Sequence, residues 1–205
     1  MKIFISGGAK NGKSYYAQTR AKEIAESLGL PLYYVATMIP VDDEDKFRIH
    51  RHLNERAGWG FTTIEKPTHL SEIFDGELET ETDGGDRITP RGVFLVDSVT
   101  AILSNAMFPI AAEEMTYGYN PDAPDEVAHD LESFSNRAEN VVFVSDYIYG
   151  SYRPKNESDD YNDRADDDHT DDYVRGLAHV DRRLAEVCDQ VIEISAGIAT
   201  IHKSI

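Results

Sequence analysis

Cationic side chains are scarce in this 205-residue chain: 20 Lys and Arg stand against 38 Asp and Glu, a formal net charge of -18. Such a surface repels nucleic-acid phosphates and anionic lipid, so neither is expected as a partner. It would also repel a nucleotide. Any nucleotide site must therefore gather positive potential locally, from backbone N–H groups, a few cations and a metal. Cysteine is nearly missing as well. Cys188 is the one thiol, which excludes an internal disulfide and a cysteine-based zinc site, and its place late in a helical pattern suits the core. No run approaches the roughly 18 consecutive apolar residues of a membrane span. The opening Met1-Lys2-Ile3-Phe4-Ile5-Ser6-Gly7 reads as a strand broken by glycine and not as a signal peptide, so a cytoplasmic protein is expected.

What is present has the pattern of an α/β protein. Lys2–Ser6, Leu32–Thr37, Thr62–Lys66, Gly92–Asp97, Asn140–Asp146 and Gln190–Ser195 read as strands. Val93–Val96 and Val141–Val144 are apolar at every position, as strands covered on both faces require. Helical patterns over Lys13–Leu28, Asp42–Arg56, Asp125–Ala138 and Asp172–Asp189 lie between them. The alternation predicts a mainly parallel sheet with helices on both faces and a last antiparallel edge strand, Ala199–Lys203. One domain over residues 1–205 is expected, with two acidic stretches, Gly76–Arg91 and Asn156–Asp172, as flexible surface loops.

Gly7-Gly8-Ala9-Lys10-Asn11-Gly12-Lys13-Ser14 fits the phosphate-loop pattern G-x-x-x-x-G-K-[ST]. Average residue usage gives a chance match in about one per cent of chains this long, and here a strand precedes the motif and a helix follows. Glycines let the backbone curl so that successive N–H groups and the helix N-terminus face an anion. Lys13 would meet the β- and γ-phosphates of ATP or GTP, and Ser14 would ligate Mg²⁺. The matching acid is Asp97, at the end of Val93–Val96, which would hold Mg²⁺ through water or Ser14; an Asp there also suits a helix N-cap.

In Asp42–Arg56, residues Arg48, His52 and Arg56 recur at helical spacing and share a face. An imidazole between guanidinium groups suits a phosphate-directed nucleophile. The same mixture of residues also makes an ordinary solvated face. Asp166-Asp167-Asp168-His169 lacks the glycine turn and terminal glutamate of a calcium loop, so no metal is expected there. Tyr15-Tyr16 and Tyr33-Tyr34 read as packing residues or the rim of a nucleotide pocket.

The phosphate loop is followed in order by Tyr33–Thr37, Asp42-Asp43-Glu44, Arg48-Ile49-x-x-His52, Arg56-Ala57-Gly58-Trp59, Glu65-Lys66-Pro67 and Val96–Thr100. In this the chain resembles the adenosylcobinamide kinase/adenosylcobinamide-phosphate guanylyltransferase family of cobalamin biosynthesis. The likeness continues through Leu103-Ser104-Asn105, Val141–Ser145, Pro154-x-Asn156 and Arg183-Leu184-Ala185. It implies a RecA-like P-loop fold, usually a homotrimer, and two reactions. One phosphorylates the aminopropanol hydroxyl of adenosylcobinamide with ATP or GTP. The other attaches GMP from GTP to that phosphate, through a histidine at the place of His52 that carries GMP as a phosphoramidate. His50, two residues away, would point to another side. Thr37, Met38, Arg56 and Glu65 fall where the family contacts nucleotide.

This chain departs from the family's pattern in four places, one of them two extra residues between Trp59 and Glu65. Asp146-Tyr147-Ile148-Tyr149 stands where the family has Asn-Glu-Val-Gly, and Asp146 is an acid one position before the lost glutamate. Glu157–Asp172 displaces a stretch rich in alanine and arginine, and Asp181 replaces an Asn. The replaced block leaves two other readings open: a GTP-binding sensor or assembly subunit, and a P-loop kinase for another small alcohol.

Overall fold

In the computed structural model, residues 1–40, 47, 58–75, 88–111, 116–149 and 164–205 are described. The order along the chain is β1 (Lys2–Gly7), α1 (Lys13–Leu28), β2 (Leu32–Ala36), β3 (Thr62–Glu65), a 3-10 turn at Leu70–Phe74, and β4 (Val93–Asp97). Then follow α2 (Val99–Met107), β5 (Ile110–Ala111), β6 (Thr116–Tyr117), α3 (Ala123–Arg137), β7 (Asn140–Asp146), α4 (Arg164–Val187), β8 (Gln190–Ser195) and β9 (Ile198–Ser204). Seven strands form one sheet in the order β3-β2-β4-β7-β1-β8-β9. All pair in parallel except β9, which returns antiparallel along β8 at the edge. This is the expected P-loop architecture of the RecA-like kind, with one strand, β7, between the phosphate-loop strand and the acid-bearing strand.

Burial explains the uninterrupted apolar runs. Val93–Val96 and Val141–Val144 are completely buried because helices cover both faces. On one face α1 lays Ala17, Ala21, Ile24 and Ala25 over Ile3, Ile5, Leu95, Val142 and Val144. On the other, α2, α3 and α4 close over Phe4, Phe94, Val141 and Phe143. Phe134 from α3 meets Phe94 edge-on at 5.5 Å, a favoured arrangement of the two ring quadrupoles. Arg183 of α4 grips Glu132 of α3 through two hydrogen bonds of 2.7 Å, fixing the helix pair in register.

One expectation needs correction. Residues 164–172 were expected in a flexible acidic loop, yet they begin α4, eight residues before the expected start at Asp172. Acidic side chains suit the first turns of a helix because the backbone dipole is positive there. Tertiary contacts add to this: the Tyr119 hydroxyl donates to Asp172 at 2.7 Å, and the rings of Tyr119 and His169 lie 4.2 Å apart. In the other acidic stretch, residues 88–91 form no helix or strand and 89–91 are exposed, as a surface loop requires, while Ile88 is buried in the core. The expected helix Asp42–Arg56, apart from the exposed Phe47, lies outside the described residues, as do 76–87 and 156–163.

Candidate active site

The phosphate loop sits where β1 ends and α1 begins. Gly12 immediately precedes the helix at φ 92°, a backbone state that a side chain disfavours. The carbonyl of Gly12 accepts the N–H of Tyr16 at 3.0 Å and opens the helical ladder. Gly7 is required for a different reason. A methyl on it would lie 2.5 Å from the carbonyl oxygen of Ile194 and 2.7 Å from the Asn11 amide nitrogen. Asn11 turns its amide toward β8 and donates to that Ile194 carbonyl, tying the loop to the end of the neighbouring strand.

Lys13 is only 8% exposed. Its ammonium donates to the carbonyl of Gly8 at 3.3 Å and lies 2.5 Å from Asp146 Oδ1. Asp146 ends β7 opposite Gly7 in the parallel register. Its backbone is held on both sides: its own N–H donates to Thr100 Oγ1 at 2.9 Å, and the following N–H, of Tyr147, donates to the Gly7 carbonyl at 2.8 Å. The carboxylate is the less buried partner, with 30% of its side chain exposed.

Strand order sets the distances of the other expected residues from the loop. Asp97 ends β4, two strands from β1, which at the usual spacing is about 10 Å. That suits contact through water or an ion better than direct contact. Its carboxylate accepts from the Tyr34 hydroxyl at 3.3 Å, and the helix N-cap is the next residue, Ser98, whose Oγ accepts from the Ala101 N–H. Asp97 is therefore not the cap. Thr37 and Met38 follow β2, three strands away. Thr37 is fully buried and its hydroxyl both donates to the Ser98 carbonyl and accepts from the Ser98 N–H. Asn105 then bridges the Thr37 and Pro67 carbonyls, at 2.8 and 3.1 Å. Thr37 thus holds the ends of β2 and β4 together, whereas Met38 is 40% exposed. Glu65 ends the edge strand β3 with an exposed side chain, four strands from the loop, about 19 Å at the same spacing. His52 and Arg56 lie outside the described residues, but the segment that carries them has described flanks. Upstream it leaves the C-terminal end of β2. Downstream, Trp59 packs edge-on against Tyr15 at 5.8 Å with the Lys22 ammonium over its ring. Both flanks therefore lie at the end of the sheet where α1 starts.

Sequence reasoning weighed Asp146 as a substitute for a missing glutamate and overlooked it as the partner of Lys13. The available signal, an acid at the end of a buried strand, was close to the one that singled out Asp97, although Ser145 stands between Asp146 and its apolar run. It also missed the layer behind β7. There Asp181 of α4, 7% exposed, accepts the Tyr149 hydroxyl at 2.5 Å. Burial pushes its carboxyl up to about 6, an effect that the Tyr149 and Ser145 hydroxyls only partly offset. Burial likewise raises the Cys188 thiol to about 12, which leaves it inert, as a core residue should be. Among the described residues, no helix is long and apolar enough to cross a membrane.

The model of the family described as cobinamide kinase / cobinamide phosphate guanyltransferase matches residues 3–201. The chain belongs to that family. It is similar to the bifunctional adenosylcobalamin biosynthesis protein CobU of Escherichia coli (strain K12), with 31% identity over 126 residues, spanning 62% of this chain and 56% of that protein. The CobU of Salmonella typhimurium (strain LT2) is 26% identical over 205 residues, 97% of each chain. Among solved structures, the flagellar accessory protein FlaH from Methanocaldococcus jannaschii is similar at TM-score 0.46 and 13% identity, covering 99% of this chain and 78% of that one. Membership of the cobinamide kinase/guanyltransferase family makes the phosphate loop and its Lys13–Asp146 pair the centre of the functional question.

Proposed function

We propose that the chain carries out both reactions named in its family's description. It would phosphorylate the aminopropanol hydroxyl of adenosylcobinamide with ATP or GTP, then transfer GMP from GTP to the phosphate so formed. The observation that carries this reading is a phosphate loop at the β1–α1 junction in a member of this family: Gly7 where no side chain fits, Gly12 in the left-handed state, and Lys13 at the start of α1. Backbone N–H groups from Gly7 to Ser14 would cradle the β- and γ-phosphates, and Lys13 would offset charge on the leaving group as it develops. Ser14 and Asp97 offer hard oxygen donors of the kind Mg²⁺ takes when phosphates and water complete its shell. When bound there, the ion would neutralise phosphate charge.

In the first reaction the substrate hydroxyl oxygen bonds to the γ-phosphorus, its proton passes to solvent, and the nucleoside diphosphate leaves. In the second, an imidazole nitrogen of His52 bonds to the α-phosphorus of GTP and pyrophosphate leaves. The cobinamide phosphate oxygen then displaces the imidazole, and the nucleotide-linked product is released. Dividing the transfer lets a weak nucleophile meet an activated P–N bond. The flanks of the His52 segment support its reach to the loop, since Met38 and Trp59 both stand at the phosphate-loop end of the sheet.

The test is to incubate the protein with α-labelled GTP and Mg²⁺ and map the adduct. Label that is acid-labile, alkali-stable and abolished by His52→Ala is the expected result. Absence of label at saturating GTP overturns the guanylyl-histidine. Light scattering of the same preparation checks the homotrimer implied by the family resemblance.

A further inference from the structure

We infer that Asp146 is an exchange residue: its carboxylate and the nucleotide phosphates compete for Lys13, so that Asp146 weakens nucleotide binding and speeds release. The inference rests on the nucleotide occupying Gly7–Ser14, as proposed above, and not on the identity of the acceptor.

The case begins with the lysine. An ammonium that is only 8% exposed must be paired, because an uncompensated buried charge is strongly unfavourable. Its charged partner is Asp146 at 2.5 Å, with the Gly8 carbonyl as a second, neutral acceptor. The loop's glycines and α1's N-terminus converge on the same small volume, so a triphosphate seated there would be a rival counter-charge. The lysine's three N–H donors could reach both, but its single positive charge is then shared between two anions.

Asp146 is also built to stay where it is. The Thr100 hydroxyl and the Gly7 carbonyl anchor the backbone on either side of the carboxylate. Thr100 is itself fixed from the other side, since its carbonyl accepts the Tyr173 hydroxyl of α4 at 2.9 Å. When nucleotide takes Lys13, the carboxylate therefore remains beside the incoming phosphates as a like charge. When product phosphates begin to leave, it recaptures the lysine and closes the path back. Lys13 moves between two anions while the scaffold stays in place.

The experiment uses the full chain and mant-GTP in Mg²⁺ buffer, with affinity from titration and dissociation rate from stopped-flow displacement. Asp146→Asn should bind mant-GTP about tenfold more tightly, mostly through slower dissociation, as expected when one of two close opposite-charge partners is withdrawn from a competition. Lys13→Met and the double variant K13M/D146N complete the cycle. The gain from D146N should be clearly smaller in the K13M background, because only the direct repulsion between the carboxylate and the phosphates then remains. The double variant leaves no unpaired buried charge, so it tests the idea even if D146N folds poorly. Binding by D146N that is unchanged or weaker, in a protein whose thermal melt matches the wild type, overturns the inference. So does weaker binding by K13M/D146N than by K13M, which would mark Asp146 as a purely structural support. Because no corrinoid is used, failure here leaves the His52 labelling result untouched, and failure of that labelling leaves this competition measurable.

Discussion

Asp181 shows how a single side chain can be costly at neutral pH. It lies between α4 and the end of β7, with the Tyr149 hydroxyl donating to it. Burial, opposed in part by the Tyr149 and Ser145 hydroxyls, raises its carboxyl from the ordinary 3.8 to about 6. The folded state therefore holds this proton more tightly than the unfolded chain does. Its contribution to stability is fully present below about pH 4 and is lost as pH rises through about 6. Asp181→Asn keeps the shape and removes the charged form, so it should stabilise the protein at pH 7.5 by up to about 3 kcal/mol. The gain should fade by pH 4. Urea melts of both proteins across that range check it, and a D181N protein less stable at pH 7.5 would show that the carboxylate has a favourable partner there. The family resemblance had already marked position 181 as a departure from Asn. It could not show the consequence, because burial is not a local property of sequence.

At the scale of elements, the decisive contact is between helices. Gly176 in the middle of α4 reads from sequence as a weakness, since Ala in a helix interior is usually favoured over Gly by about 1 kcal/mol. Here a methyl at Gly176 would stand 2.8 Å from Pro124 Cγ at the start of α3 and 3.4 Å from the sulfur of Met107 at the end of α2. The proline ring is stiff and begins a helix, so it cannot yield cheaply. Gly176→Ala should therefore destabilise the protein, by about 1–3 kcal/mol as overpacking does. A lower midpoint in thermal and urea unfolding is the expected outcome, and a raised one would mean that α4 slides freely over α3. Periodicity located α1 to the residue and brought most strands within one residue of their observed ends. It placed the start of α4 wrongly, because charged residues carry no apolar stripe. What extends that helix is a contact with Tyr119, which lies far away in sequence.

For the whole molecule the dominant fact is 38 acidic against 20 basic side chains. Self-repulsion on that scale opposes the compact state, and salt weakens it: the screening length falls from about 10 Å at 0.1 M to about 3 Å at 1 M. Stability should therefore rise steeply with KCl. Urea, which is uncharged, is the suitable denaturant. The midpoint should move upward between 0.05 and 1 M KCl, with the slope nearly constant. A midpoint that falls with salt would show that attractive ion pairs outweigh the net repulsion. Pairs such as Arg183–Glu132 work in that opposite direction, but acids outnumber bases by 38 to 20.

The phosphate loop was legible without any structure because its chemistry is local. Eight consecutive residues supply both the curl of the backbone and the lysine, and the flanking strand and helix announce themselves by hydrophobic period. The paired faces of the sheet were legible for the same reason, in the unbroken apolar runs of β4 and β7. Which acid meets Lys13 was not. Asp97 closes its run directly and Asp146 follows its own after Ser145, and neither spacing says which acid meets the lysine. Only the pairing of β1 with β7, residues almost 140 apart in sequence held side by side, brings Asp146 to the lysine and leaves Asp97 one strand further out.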